Sequence, residues 1–418
     1  MAKFIIKGGK PLSGEVQIYG AKNAVLPQMA AAILAHGIVK LDNVPQIIDV
    51  KIMSEILEDL GAKIKNVGNH SLEIDPSGIN KSEIDKNLAR RLRASVLLVG
   101  SLIAKFGKVK LPFPGGDIIG RRSLDTHMKA FETMGASISR ENDHYLITAK
   151  NLKPAEIYLD ETSVTATENI IMAAVFCEGE TIIRFAAAEP HVVDLCEMLN
   201  KMGAQISGLG TNTVKIKGVK SLSGTDHKIV PDQIDAVTFS CAGIVTKGEV
   251  TIKGINREIL YPILHKFDQM NVNYEMGKDS LTVKKSELRA AKIQTSPWPG
   301  FPTDSQPPFT VLATQSQGIS LIHDWMYERR LLYIDELIKM GADITLCDPH
   351  RILVSGPTRL RGTKLFGPDI RAGVALVIAA LAARGETEID NVELIDRGYE
   401  RIEERLKSLG ADIVRSKE

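Results

Sequence analysis

Apolar residues recur along this chain in two alternating helical patterns. The first is amphipathic. In Asp49-Val-Lys-Ile-Met-Ser-Glu-Ile-Leu-Glu-Asp-Leu60 the apolar positions return every three or four residues, which predicts a helix with one buried face. The second is apolar nearly all round, as in Ala30-Ala-Ala-Ile-Leu-Ala-His-Gly37, Ala173-Ala-Val-Phe-Cys-Glu-Gly179 and Val377-Ile-Ala-Ala-Leu-Ala-Ala-Arg-Gly385. Such a helix has no face to give to water and must be enclosed. Each of these is followed by a short β-rich run. Each amphipathic helix ends in one phrase: Leu60-Gly-Ala-Lys-Ile64, Met134-Gly-Ala-Ser-Ile138, Met202-Gly-Ala-Gln-Ile206, Met340-Gly-Ala-Asp-Ile344, Leu409-Gly-Ala-Asp-Ile413 and a degenerate Met270-Asn-Val-Asn-Tyr274. The glycine falls where a helix needs a left-handed residue at its end, a conformation Asn also tolerates. The Ile or Tyr then opens a strand.

The phrase returns every 68 to 74 residues, so six copies nearly exhaust the 418 positions. Each copy reads as strand, buried helix, strand, amphipathic helix and paired strands. Three enclosed helices inside a ring of sheets, twice over, satisfy this pattern. The expected fold class is therefore α/β: two inside-out, barrel-like domains of three repeated units each. An open solenoid is the competing arrangement, but the array lacks the polar capping repeats a solenoid needs.

Composition narrows the function. Apolar residues make up 44% and charged residues 25%, as in ordinary globular proteins. A net charge of +1 gives no basic field for nucleic acid or an anionic membrane, so any anion site has to be local. Cys177, Cys196, Cys241 and Cys347 are scattered, which suggests neither a metal site nor a disulfide framework. Reduced thiols, an N-terminus without signal-peptide character and a longest apolar run (372–383) too short to span a bilayer point to a cytoplasmic protein. Oligomeric state is left open.

Four segments break the repeat with polar chemistry. In Gly20-Ala-Lys22-Asn23 a turn opens a helix with Lys and Asn in its first turn, where free N–H groups favour anions; Asn23 as a plain N-cap beside a solvated Lys22 is the alternative. In Leu111-Pro-Phe-Pro-Gly-Gly-Asp117 and the following Ile-Ile-Gly-Arg-Arg122-Ser-Leu-Asp-Thr126, prolines and glycines surround one carboxylate ahead of a basic helix start. That suits a lid delivering a catalytic group, or else a surface loop with a solvated Asp. In Gln294-Thr-Ser-Pro-Trp-Pro-Gly-Phe-Pro-Thr-Asp304, prolines hold an acid that suits a general base, with an N-cap role as the competitor; Met326-Tyr-Glu328-Arg-Arg330 follows. Asp369-Ile-Arg371 and Asp396-Arg397 place cations at helix starts, which is unfavourable for the dipole unless an anion or the neighbouring Asp relieves it. Arg93 opens another apolar helix in the same way. Lys22, Arg93, Arg122, Arg330, Arg371 and Arg397 occupy equivalent edges of the units and could converge around a multiply charged anion, with Asp117 and Asp304 as acid and base.

With these residues in view, the chain resembles the UDP-N-acetylglucosamine 1-carboxyvinyltransferase family of enolpyruvyl transferases over its whole length. The resemblance rests on Gly-Ala-Lys22-Asn23-Ala, Arg93-Ala-Ser, Pro-Gly-Gly-x-x-Ile-Gly with Arg122, Ala-Ala-x-Glu189-Pro, Phe-Pro-Thr-Asp304, Glu328-x-Arg330, Asp-x-Arg371-Ala and Ile-Asp-Arg397-Gly-Tyr-Glu-Arg, in that order. It implies two domains, residues 1–21 with 231–418 and residues 22–230, the latter carrying the Asp117 loop. It implies transfer of the enolpyruvyl group of phosphoenolpyruvate to the 3′-hydroxyl of the UDP-sugar without metal or organic cofactor. By the same resemblance, Lys22, Arg122 and Arg397 are ligands of the phosphoenolpyruvate phosphate, Arg330 and Arg371 partners of its carboxylate, and Asn23 lies beside the reacting centre. Arg93, Arg122, Ser123, Leu124, Asp125, Thr126, Ser163, Val164, Asp304, Met326 and Glu328 match UDP-sugar positions. Lys22, Asp117, Asp304 and Arg397 match catalytic ones.

Departures from the family pattern are informative. Asp117 stands where most members carry Cys, the residue that protonates the methylene carbon and is alkylated by fosfomycin. An Asp has a reference pKa of ~3.9, so acid chemistry near neutral pH is demanding. Glu161 and Thr165 differ from common residues near the nucleotide, and Gln306-Pro307-Pro308 is unusual after the Asp304 motif. Two rivals stay open. A shikimate-pathway enolpyruvyl transferase shares the fold, but its usual Asp-Lys-Ser start and Asn-Ala-Gly-Thr loop are absent. A silent UDP-sugar-binding paralogue has no need of both Asp117 and Asp304. A carboxylate cannot form the stable thioether, so turnover is expected to persist in excess fosfomycin and D117C to gain sensitivity, read as residual activity and covalent mass increase.

Overall fold

The computed structural model describes residues 2–117 and 119–417. They divide into two compact units: unit 1 contains the residues up to Tyr19, Asp117–Arg122 and those from Pro231 onward, and unit 2 contains Gly20–Gly116 and Ser123–Val230. Asp117–Arg122 thus groups with unit 1, whereas the sequence resemblance puts that loop with 22–230. The cause is local: Arg329 donates its N–H to the Ile119 carbonyl at 3.1 Å, and Arg121 donates its N–H to Glu328 at 2.9 Å.

The repeat is read directly in the topology. In unit 1, strand Ser13–Gln17 runs parallel to Glu249–Lys253 across the buried helix Gln233–Val245, and Ser280–Val283 and Tyr274–Met276 complete the sheet antiparallel. The second sheet repeats this with Lys292–Gln294, helix Gln306–Thr314, then Gly318–His323, Arg351–Gly356 and Asp343–Asp348. The third uses Lys364–Phe366, helix Ile370–Ala382 and Glu386–Asp390, but takes its inner strand from Ala2–Lys7, which pairs antiparallel with both Glu386–Asp390 and Asp412–Lys417.

Unit 2 has the same plan around helices Lys22–Ala31, Leu98–Phe106 and Val164–Ala174. Its first sheet is completed by a strand from its far end, as Leu222–Lys228 lies parallel to Ala35–Asp42. One sheet has three strands, with a single Glu83–Lys110 bridge where the others have a first strand.

Helices lie inside and sheets outside. From Ile370 to Leu381 every residue is buried, and the three apolar helices of unit 1 pack pairwise on one another. That mutual packing excludes the solenoid. The amphipathic helices close as expected: Gly61, Gly135, Gly203, Gly341 and Gly410 have φ between 90° and 110°, and Asn271 has φ 59°. Among the described residues no helix is long and apolar enough to cross a membrane.

Close helix contact fixes one glycine by packing alone. At Gly100 an added Cβ would lie 2.2 Å from the Asn169 carbonyl oxygen, and the Gly100 N–H donates to the Asn169 side chain at 2.7 Å. Helix backbones cannot yield as a side chain tip can. Gly100→Ala is expected to destabilise unit 2 by about 1–3 kcal/mol, measured by urea unfolding.

Candidate active site

In unit 1 the polar residues gather at helix starts. Asp304 lies in the turn Thr303–Ser305 that leads into the buried helix Gln306–Thr314, and that helix has no side-chain cap. The N-cap alternative for Asp304 therefore does not apply. Its carboxylate instead receives Arg330 Nη2 and, at 3.1 Å, Arg371 Nε. Both guanidiniums are almost fully buried, whereas the Asp304 side chain is 27% exposed. Burial disfavours both cations, but neighbouring acidic groups outweigh it and raise both pKa values: for Arg330 these include Asp304 and Asp369, and for Arg371 Tyr399 and Asp304.

The awkward cation at a helix start is resolved by a division of labour. Asp369 caps helix Ile370–Ala382, accepting from the N–H groups of Arg371 at 2.8 Å and Ala372 at 3.0 Å. The Arg371 side chain leaves the helix for Asp304 and lies over the Tyr399 ring at 5.3 Å. Arg371 Nη1 is buried without a hydrogen-bond partner. Burial raises the Asp369 carboxyl; Arg330 opposes this and Asp117 adds to it. Arg397, expected at a helix start, instead ends the short 3-10 helix Val392–Arg397, where the dipole does not oppose a cation. Asp396 turns to Arg415, at 2.6 and 2.8 Å, and Arg397 donates from Nη1 to Asp117 at 2.8 Å.

Tyr327 joins this cluster to the Asp117 loop. Its ring faces Arg330 at 5.5 Å and Arg122 at 6.0 Å. Arg122 has φ +44°, a strained backbone for a bulky residue. Glu328, expected at the UDP-sugar, directs one carboxylate oxygen to the Arg121 N–H, and a Cβ at Gly120 (φ +156°) would come within 2.5 Å of the other. Met326 donates its N–H to Asp324 at 3.2 Å. Asp117, Arg122, Asp304, Met326, Glu328, Arg330, Arg371 and Arg397 are thus linked through one network of unit 1.

Unit 2 holds the remaining candidates in two places. Lys22 is the first residue of helix Lys22–Ala31, capped by Ala21 without a side-chain bond, and Asn23 is exposed. The alternative of Asn23 as N-cap with a solvated lysine fails, because Lys22 pairs with the buried Asp49 at 2.7 Å. Elsewhere Ser123 accepts from the Asp125 N–H at 3.2 Å, and Ser163 caps helix Val164–Ala174 at 3.4 Å. Thr126 donates to Glu161 at 3.3 Å, and His127 Nε2 meets the Thr165 hydroxyl at 2.9 Å. The two residues that depart from the family pattern therefore tie 123–127 to 161–165. Arg93 acts electrostatically on His127, which burial first and Arg93 second push down to about 3.

Asp49, Thr303, Asp324, Tyr327 and Tyr399 were not singled out by sequence. Asp49 reads as a favourable acid in a helix first turn, which hides its partner Lys22. Tyr327 and Tyr399 lie inside quoted motifs, but nothing in a motif tells which cation a ring faces.

A family model described as EPSP synthase (3-phosphoshikimate 1-carboxyvinyltransferase) matches residues 6–406. The chain is 46% identical to UDP-N-acetylglucosamine 1-carboxyvinyltransferase of Treponema denticola, over 99% of both chains. It is 45% identical to the enzyme of that name from Borreliella burgdorferi, over 100% of both. Among solved structures it superposes on the enolpyruvyl transferase NikO of Streptomyces tendae with a TM-score of 0.91 at 27% identity, covering 99% of each chain. EPSP synthase of Acinetobacter baumannii, at 19% identity and a TM-score of 0.76 over 100% of both chains, shares the fold.

His127 also gives a pH signature. Its folded pKa of about 3 lies below the ordinary 6.5, so between these values the unfolded chain binds a proton that the folded chain does not. The stability it contributes is present above pH 6.5 and is lost as pH falls towards 3. His127→Gln is expected to flatten the loss of stability on acidification by up to about one proton, read from denaturant midpoints at neutral and mildly acid pH.

Proposed function

The chain belongs to the UDP-N-acetylglucosamine 1-carboxyvinyltransferase family, and we propose that it transfers the enolpyruvyl group of phosphoenolpyruvate to the 3′-hydroxyl of UDP-N-acetylglucosamine with release of phosphate, the first committed step of peptidoglycan synthesis. The observation that carries this reading is Asp304, a partly exposed carboxylate fixed by two buried arginines, in a chain matched along its length to enzymes of that name.

The reaction assigns each group a task. Asp304 takes the proton of the 3′-hydroxyl as its oxygen bonds to C2 of phosphoenolpyruvate. Asp117 gives a proton to the methylene carbon C3. A tetrahedral adduct results, and loss of one C3 proton with cleavage of the C2–O bond to phosphate restores the double bond. Arg330 and Arg371 hold the substrate carboxylate, and Lys22, Arg122 and Arg397 hold the phosphate, whose charge grows as it leaves. Asn23 lies beside the reacting carbon. Arg93, Ser123, Leu124, Asp125, Thr126, Ser163, Val164, Met326 and Glu328 serve the UDP-sugar.

The Arg397–Asp117 ion pair, at 2.8 Å, gives the acid its trigger. A phosphate that recruits Arg397 competes with Asp117 for the guanidinium, and the freed carboxylate takes a proton from solvent that it then gives to C3. Addition and elimination need only these acids, bases and cations, so no cofactor enters. The buried thiols Cys177, Cys196 and Cys241 support a cytoplasmic location.

The purified protein is expected to release phosphate from phosphoenolpyruvate only when UDP-N-acetylglucosamine is present. Release with shikimate 3-phosphate in its place would overturn the acceptor, and sugar-nucleotide binding without any release would leave a silent binding protein.

A further inference from the structure

Asp324 is completely buried, and the reaction outlined above gives it no task. A buried carboxylate persists only where donors surround it. Here the Thr303 hydroxyl donates to Oδ2 at 2.6 Å and the Met326 N–H to Oδ1 at 3.2 Å. The backbone is held as firmly: the Asp324 N–H donates to the His350 carbonyl at 2.9 Å, and His350 Nδ1 donates to the Asp324 carbonyl at 2.7 Å. Burial raises this carboxyl, and the Thr303 bond and the Arg330 charge pull it back.

We propose that Asp324, acting through the hydroxyl of Thr303, is a positioning residue that aims Arg330 at Asp304 and at the substrate carboxylate. The inference rests on the enolpyruvyl-transfer reading for its substrate. A hydroxyl has one proton. Because Thr303 gives that proton to Asp324, only its lone pairs face the other way, and into these Arg330 donates from Nε at 3.2 Å. The guanidinium is then fixed at three places: Nε on Thr303, Nη2 on Asp304 and its face on the Tyr327 ring. Thr303 is the residue before Asp304, so the same relay registers the base against the cation. When a substrate carboxylate draws Arg330 away from Asp304, the Thr303 bond is the one that keeps the plane of the guanidinium.

The test is Thr303→Val, which removes the hydroxyl and keeps the shape, alongside Thr303→Ser and Asp324→Asn. Thr303→Val is expected to lower kcat/KM for phosphoenolpyruvate roughly ten- to hundredfold, the worth of one hydrogen bond to a charged group, and to lower Tm because the buried Asp324 loses a donor, while UDP-N-acetylglucosamine affinity stays near that of the unmodified chain. Thr303→Ser should restore most of the loss. Asp324→Asn should show the same split, and the double variant should be no worse than the poorer single one. Wild-type kcat/KM in Thr303→Val overturns the proposal, as does a loss shared by sugar-nucleotide binding and stability that serine does not rescue. If the unmodified chain shows no turnover, the proposed function falls, and a crystal structure of Thr303→Val decides this relay by itself. A displaced Arg330 guanidinium supports it, and an unmoved one refutes it.

Discussion

A helix that is apolar all round has to be enclosed, and the remainder of this molecule follows from that constraint. One such helix per repeat cannot be covered by its own sheet, so three repeats share one interior. Within the interior, a helix start is one place where polar chemistry is favoured, because its free N–H groups need partners. Several of the candidate residues stand at such starts. Lys22, Ser163 and Asp369 stand at or beside the first residue of a buried helix, Asp304 and Arg93 lie in the short turn before one, and Arg371 is in a first turn. Single charges far apart in sequence become equivalent positions of a repeated fold.

Cations of the candidate set are held by carboxylates of the chain itself. Asp49 takes Lys22, Asp117 takes Arg397, and Asp304 takes Arg330 and Arg371. A buried charge without a partner is strongly destabilising, so such pairs let each unit fold with its cations in place. They also set a threshold for ligands. An anion that binds at any one of these cations must offer more than the internal carboxylate it displaces.

Much of this was legible in the sequence. The period of the glycine phrase gives the repeat, and the left-handed Gly61, Gly135, Gly203, Asn271, Gly341 and Gly410 show why the phrase recurs. The order of elements follows from two hydrophobic periodicities. The closing strands were less legible, because Leu222–Lys228 and Ala2–Lys7 find their partners far along the chain and nothing local marks them. In the site, the residue types at helix starts announced charge and acid–base chemistry. Pairings such as Lys22 with Asp49, or Asp396 with Arg415 in preference to Arg397, depend on which neighbours the fold presents. The hydroxyl of Thr303 lay unseen beside the more conspicuous Asp304 for the same reason.

The strand Ala2–Lys7 has a temporal meaning. It is made early, yet its partners Glu386–Asp390 and Asp412–Lys417 come from the other end of the chain. Nearly all of unit 2 lies between, and its own closing strand ends at Lys228. During synthesis unit 2 can therefore complete its sheets while the ribosome is still translating. Unit 1 must keep Ala2–Lys7 waiting until Glu386–Asp390 and Asp412–Lys417 emerge, so a translation product interrupted before them would contain a finished half and an open one.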